Sequence, residues 1–288
     1  MSVMTAQQIE LDELRRRIDD LVGHHPIVTA NRYTRWFAEG DATREDVVHL
    51  TVQFSVFSHL FIEAQLRKVL NAPTLDAYRA GKEILLNELG VVFRPPSSAA
   101  APDGVDPTLV ATEGTVDGGR FRFGAAHFEW LLRFAAPLGL GFEDLGKRRH
   151  ATPATAFFCD ELLRVYGAPD PSVAEGASYA IEHWAAAGFW KELIAGLEAY
   201  RTRSGADLPL AFWTWHDKVE DQHASHTADE LAAAVTAPGF DPDSFLRGAT
   251  EILGGVAAFW NGLDADRRAA SPEGRPPAPS TTDPKDRP

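Results

Sequence analysis

The stretch "WHDKVEDQHASHTADEL", residues 215–231, sets three histidines and five acidic residues among seventeen positions. Pro209, with Asp207 before it, marks the start of the helix that carries them. At 100° per residue, His216, Glu220 and His223 fall within about 60° of one another, and Phe212 and Val219 share their face. Asp217, Lys218, Asp221 and Gln222 turn the other way, toward water. His226 is offset by about 80° from His216, which places it at the surface or behind the first ligands. A carboxylate set between two imidazoles on an apolar face needs a partner. A divalent metal suits that donor set, and a buried hydrogen-bonded cluster is the alternative.

One helix face offers at most three ligands, so a metal site needs more from other helices, as helical bundles provide. Four further ligand-type side chains lie on apolar patterns. Glu63 has Val56, Leu60, Leu66 and Leu70 at helical spacing, and Glu88 follows Ile84 and Leu85. His127 has Trp130, Leu131 and Phe134 on its face, and Glu182 has Tyr179, Ala185, Ala186 and Phe189 around it. Each alone reads as a satisfied core residue. Together they make seven ligand-type groups on five inward faces, a set that would hold two iron or manganese ions.

The rest of the chain frames these positions. Helical periodicity runs through residues 8–22, 26–40, 43–70, 75–90, 154–167, 171–199, 208–234 and 241–269, with another helix from "AAHFEWLLRFAAPLGL". Leu11, Leu14, Ile18 and Leu21 form the first apolar stripe. Pro26, Asp241 and Asp243 mark starts, and Gly40 and Gly90 mark stops. No βαβ alternation or internal repeat is visible. The expectation is an all-α bundle of about seven or eight helices in one domain, residues 1–269. Residues 91–124 form an irregular insertion, with "TVDGGRFRF" as a β-hairpin and a lid or partner surface as its role. Residues 270–288 are Pro-rich and polar and read as a disordered tail.

A formal charge of −13 argues against nucleic acid, whose phosphates require a basic face. A run of about eighteen apolar residues and a signal-peptide core are both missing, so no membrane partner is expected. Cys159 is the only cysteine, which rules out an intramolecular disulfide and fits a reducing, cytoplasmic setting.

In order, these residues run as a Glu on a long second helix, a Glu opening "E-x-G", a His beginning "H-x-x-x-L", a Glu about fifty-five residues on, and H-x-x-x-E-x-x-H. That order resembles the haem-oxygenase-like diiron oxidases and oxygenases, whose fold is shared with thiaminase-II-like and pyrroloquinoline-quinone-synthase-like proteins. The likeness covers roughly residues 8–264, and "FAAPLGL" and "FAEGDATREDVVHLTVQF" are also similar to the family. It implies Glu88, His127, Glu182, His216, Glu220 and His223 as ligands of two Fe(II) ions, with manganese as the other metal and O2 as co-substrate. Glu63 matches a further carboxylate of members that oxygenate amine nitrogens. Two features depart from the pattern. Glu220 stands where Asp is usual, and the insertion lengthens the path from Glu88 to His127, which leaves Glu175 as a substitute ligand.

The resemblance implies a small-molecule substrate, an amino acid, an amine or a fatty acid. N-oxygenation is favoured through Glu63, with desaturation or oxidative C–C cleavage as alternatives. An external electron donor and a homodimer are compatible with that chemistry. Phe189, Trp130 and Trp215 are candidates for the pocket wall. A ferritin-like bundle would carry two E-x-x-H motifs, and only "EDQH" is present. A thiaminase-like hydrolase would need Cys159 as nucleophile, a haem protein would need His24 or His25 as axial ligand, and a metal-free binding protein would not need the seven ligand-type groups.

Overall fold

The computed structural model describes residues 6–92, 112–113 and 122–270, without the side chains of 6–10, 92, 112–113, 122–123, 219–230 and 233. Eleven α-helical segments occur among the described residues. The first is α1, Ala6–Ile18, which runs into a π-helical turn at Asp19–Gly23. Leu14, Ile18 and Val22 are buried while Leu21 is 41% exposed, so the inward stripe ends on Val22 instead of Leu21. Two short helices follow, α2, Pro26–Thr29, and α3, Arg32–Ala38, where one had been expected. The Asn31 side chain accepts from the Tyr33 and Thr34 amides, which caps α3 and separates it from α2.

Helix α4, Arg44–Leu70, starts at a reciprocal cap between Thr43 and Asp46. Its first half is buried through Val47, Leu50, Phe54 and Phe57, but Leu66 and Leu70 near its end are 45% and 73% exposed. By length and mean hydropathy α4 is apolar enough to cross a membrane, although polar residues interrupt its apolar run. Half of that apolar window is buried, against α5, Leu75–Glu88, α6, His127–Ala135, and α7, Pro153–Glu161. After α7 comes a π-helical turn at Leu162–Tyr166.

The expected helix over 171–199 is two, α8, Pro171–Ala185, and α9, Phe189–Ser204. Gly188 between them has φ +91°, a conformation that ends a right-handed helix. Helix α10, Ala211–Thr236, begins after Pro209 with no side-chain cap, so Asp207 does not cap it. Asp241 accepts from the Asp243 and Ser244 amides at the start of α11, Pro242–Ala270. α11 lies along α8 and α7. A Cβ on Gly176 of α8 would overlap the Phe245 carbonyl, and one on Gly248 of α11 would overlap the Val173 carbonyl. The two backbones meet at this pair of glycines.

Within the insertion, β1, Val91–Val92, β2, Thr112–Glu113, and β3, Arg122–Phe123, form an antiparallel sheet in the order β1-β3-β2. Of the expected hairpin, β3 is observed and its partner strand lies at 112–113; the Asp117–Gly119 turn is outside the described residues. The expected tail beyond Ala270 also lies outside them.

Candidate metal centre

Two distant carriers are joined by the base of the insertion. Glu88 ends α5, His127 begins α6, and β1 pairs with β3 between them. The Gly90 carbonyl accepts from the Gly124 amide at 2.7 Å. Gly90 has φ +71°, and a Cβ on it would press on residues 124–126. This turn holds the end of α5 against the start of α6 whatever the length of chain looped out between them. The insertion therefore does not displace Glu88.

His127 is buried, with its Nδ1 3.0 Å from Glu88 Oε2. That approach lacks hydrogen-bond geometry, and Nδ1 has no hydrogen-bond partner. His216 arrives from α10, its ring centroid 5.0 Å from that of His127. One ligand atom from each of Glu88, His127 and His216 lies within 4.8 Å of the others. A carboxylate and two imidazoles converging this closely are a donor set that can hold a divalent metal. His216 Nδ1 meets the Phe212 carbonyl at 2.6 Å. A carbonyl only accepts, so Nδ1 carries the proton and Nε2 keeps the lone pair for a metal.

Aromatic rings enclose these ligands. Trp190 stacks on His216 at 4.9 Å and 20°, Phe212 lies 4.4 Å from it, and Trp215 lies 4.4 Å from His127. Of the expected wall residues, Trp215 lines the cavity, Trp130 packs behind it on His127, and Phe189 stacks on Trp184. Trp190 carried no distinguishing signal in the sequence; only its stacking on His216 reveals it. The cavity has a volume of about 310 Å³, and Phe54, Phe57, Phe61, Phe158 and Trp184 form much of its wall.

Glu182 lines the same cavity from α8, outside the tight group of three. Helix α10 continues unbroken through Glu220 and His223, which keeps them one and two turns beyond His216; their side chains, like that of His226, lie outside the described residues. Glu175 is not among the cavity-lining residues. Glu63 is corrected. Its side chain is 50% exposed and its Oε1 is 3.2 Å from Arg67. The leucines that suggested an inward face, Leu66 and Leu70, are themselves exposed there.

The residues of the rival sites lie elsewhere in the fold or are buried in its core. Cys159 is buried, and desolvation pushes its thiol up to about 12, which leaves it a core residue without nucleophilic character. His25 caps α2 by accepting from the Ile27 amide, and neither it nor His24 lines the cavity.

No family model and no curated protein matches the chain. Solved structures do. A domain of unknown function with a haem-oxygenase-like fold from Shewanella denitrificans is 15% identical with a TM-score of 0.58, over 95% of this chain and 97% of that one. A CADD-like protein of unknown function from Nostoc punctiforme is 16% identical with a TM-score of 0.59, over 91% and 98%. A TenA homolog from Pseudomonas syringae pv. tomato is 10% identical with a TM-score of 0.55, over 90% and 93%. At such identities the likeness is one of fold, and the chain has the haem-oxygenase-like fold.

Proposed function

We propose that this protein is a non-haem diiron oxidase that uses O2 to oxidise a small organic molecule with an apolar body. The observation that carries the reading is the Glu88–His127–His216 cluster on the wall of an aromatic cavity. Glu88, His127, Glu182, His216, Glu220 and His223 would hold the two metals, manganese being the other metal of suitable chemistry. Iron so bound would supply the electrons and open coordination positions that O2 chemistry needs.

The chain's own residues set the conditions for that chemistry. Trp190, Phe212 and Trp215 pack directly on the imidazoles and exclude water from them. The Phe212 carbonyl fixes the His216 tautomer and the direction of its other ring nitrogen. Binding requires neutral imidazoles and ionised carboxylates, so metal loading weakens toward acid pH. Because Glu63 is turned outward and paired with Arg67, it gives N-oxygenation no support. Desaturation or oxidative C–C cleavage of an apolar substrate fits the aromatic walls better.

Anaerobic loading with Fe(II), removal of free metal and iron analysis test the reading. About two ions per chain are expected, and a strong loss in His127→Ala and His216→Ala. Fewer than about one ion per chain in the native sequence, with no visible transient on rapid mixing with O2, would overturn it.

A further inference from the structure

We infer that Lys68 and Ser178 form an anion-binding subsite that receives the carboxylate of the substrate on the α8 side of the cavity, one helical turn before Glu182. This deepens the proposed function, and rests on it, by assigning the residues that would hold the acid group of a substrate with an apolar body.

The geometry begins with one hydrogen bond. Lys68 Nζ on α4 donates to Ser178 Oγ on α8 at 2.6 Å. An ammonium has no acceptor, so Ser178 must accept, and its own hydroxyl proton is left to be donated elsewhere. Among the described residues Ser178 Oγ has no acceptor for that proton, and Ser178 lines the cavity. The residue is buried, with 3% of its surface exposed. A cavity-lining residue therefore keeps a hydroxyl proton to donate, with a positive charge bonded to the same oxygen.

Lys68 is half-buried. Among the described residues it has no carboxylate at ion-pair distance, although its neighbour Arg67 pairs with Glu63. Its ammonium lies over the Tyr166 ring, 5.2 Å from the centroid. Buried Gln65 donates to the Tyr166 hydroxyl at 2.7 Å and so fixes that ring. Tyr166 in turn packs on cavity-lining Phe61, ring centroids 5.2 Å apart. The cation is thus held behind the lining residues Ser178 and Phe61, without an anion of its own among the described residues. An arriving carboxylate would complete both the charge and the hydroxyl.

Helix α5 gives the scale. Gly81 packs against Val69, the residue after Lys68, and Ala80 beside it lines the cavity. Glu88 is seven residues farther along the same helix, about 10 Å by helical rise. A substrate anchored at Ser178 would lay its apolar body along Phe57 and Phe61 and bring a carbon distant from its carboxylate toward Glu88 and His127.

The test is binding to the metal-free full chain, measured by calorimetry with 4-phenylbutyrate and the neutral 4-phenylbutanol. The acid is expected to bind roughly tenfold or more tighter than the alcohol, the scale of a hydrogen bond to a charged group. Lys68→Met should abolish that preference while leaving alcohol binding within about twofold, Ser178→Ala should reduce it, and Lys68→Arg should retain most of it. A purely structural Lys68 would change the melting temperature without changing the ratio of acid to alcohol. Equal binding of acid and alcohol, or an undiminished preference in Lys68→Met, overturns the subsite. Homophenylalanine as a third probe separates the sources of the carboxylate: tighter binding than the acid assigns an amino acid, weaker binding a simple carboxylic acid. Iron loading without acid preference would remove the subsite and leave the metal centre standing. Acid preference without iron loading would do the reverse.

Discussion

Replacing Gly248 by alanine should destabilise the protein, although alanine is the better helix former. Gly248 lies inside α11, and a Cβ there would overlap the Val173 carbonyl oxygen of α8, with the rest of that peptide close behind. The obstacle is backbone, which no rotamer change can move aside. To restore van der Waals contact the two helices would have to part by about 1 Å, loosening contacts along a tightly packed seam. Overpacking of this kind costs up to about 3 kcal/mol, against a gain of about 1 kcal/mol from replacing a helical glycine. The net loss of about 2 kcal/mol should lower the melting temperature by roughly 4–8 °C in a domain of this size. Gly254 supplies an internal control. It lies on the same helix with nothing within 4 Å of its would-be Cβ, so Gly254→Ala should be neutral or raise stability by up to about 1 kcal/mol. Urea and thermal unfolding of the metal-free chain read both variants directly. Equal effects of the two substitutions would refute the argument from close approach. Since α8 also carries Ser178 and Glu182, Gly248→Ala should weaken ligand and metal binding as well.

Acid should destabilise the metal-free protein in a defined window. Burial, helped by Lys147, holds His59 below the ordinary histidine value of 6.5, and burial does the same to His25 and His183. The unfolded chain therefore takes up protons first as pH falls below 6.5. The unfolded state then binds more protons, so stability is lost from there down to the folded values and is flat above. Melting temperatures measured from about pH 7.5 to about 5.5 should fall, and His59→Gln should reduce the slope; an unchanged slope would exclude His59 as a contributor. Cys159, buried and with its thiol pushed up to about 12, should stay unreacted with a thiol reagent in the native protein. One thiol per chain should react after denaturation, and rapid native labelling would contradict the burial.

Much of the architecture was legible because helical periodicity is a local property. The start of α4 near residue 43, the stops at Gly40 and Gly90, and the start at Asp241 follow from residue types and spacing alone. The break at Gly188 was missed because apolar spacing continues across it, and the positive φ there is not visible in a pattern of hydrophobic residues. Glu63 shows the deeper limit. Its leucine neighbours fix a stripe on α4, but a stripe does not say whether anything packs on it. The last turns of α4 leave that stripe in solvent, where Arg67 pairs with Glu63.

By itself the sequence determined that the chain is helical, that His216 shares a helix face with Glu220 and His223, and that Glu88, His127 and Glu182 are the other ligand-type residues to weigh. Only the tertiary structure decided which of them meet. Contact between residues distant in the chain is set by how helices dock, and that depends on close backbone approaches such as Gly176 to Phe245 and Gly248 to Val173 and on the Gly90–Gly124 hydrogen bond. The same docking, over a separation of 110 residues, sets Lys68 against Ser178 at the cavity wall.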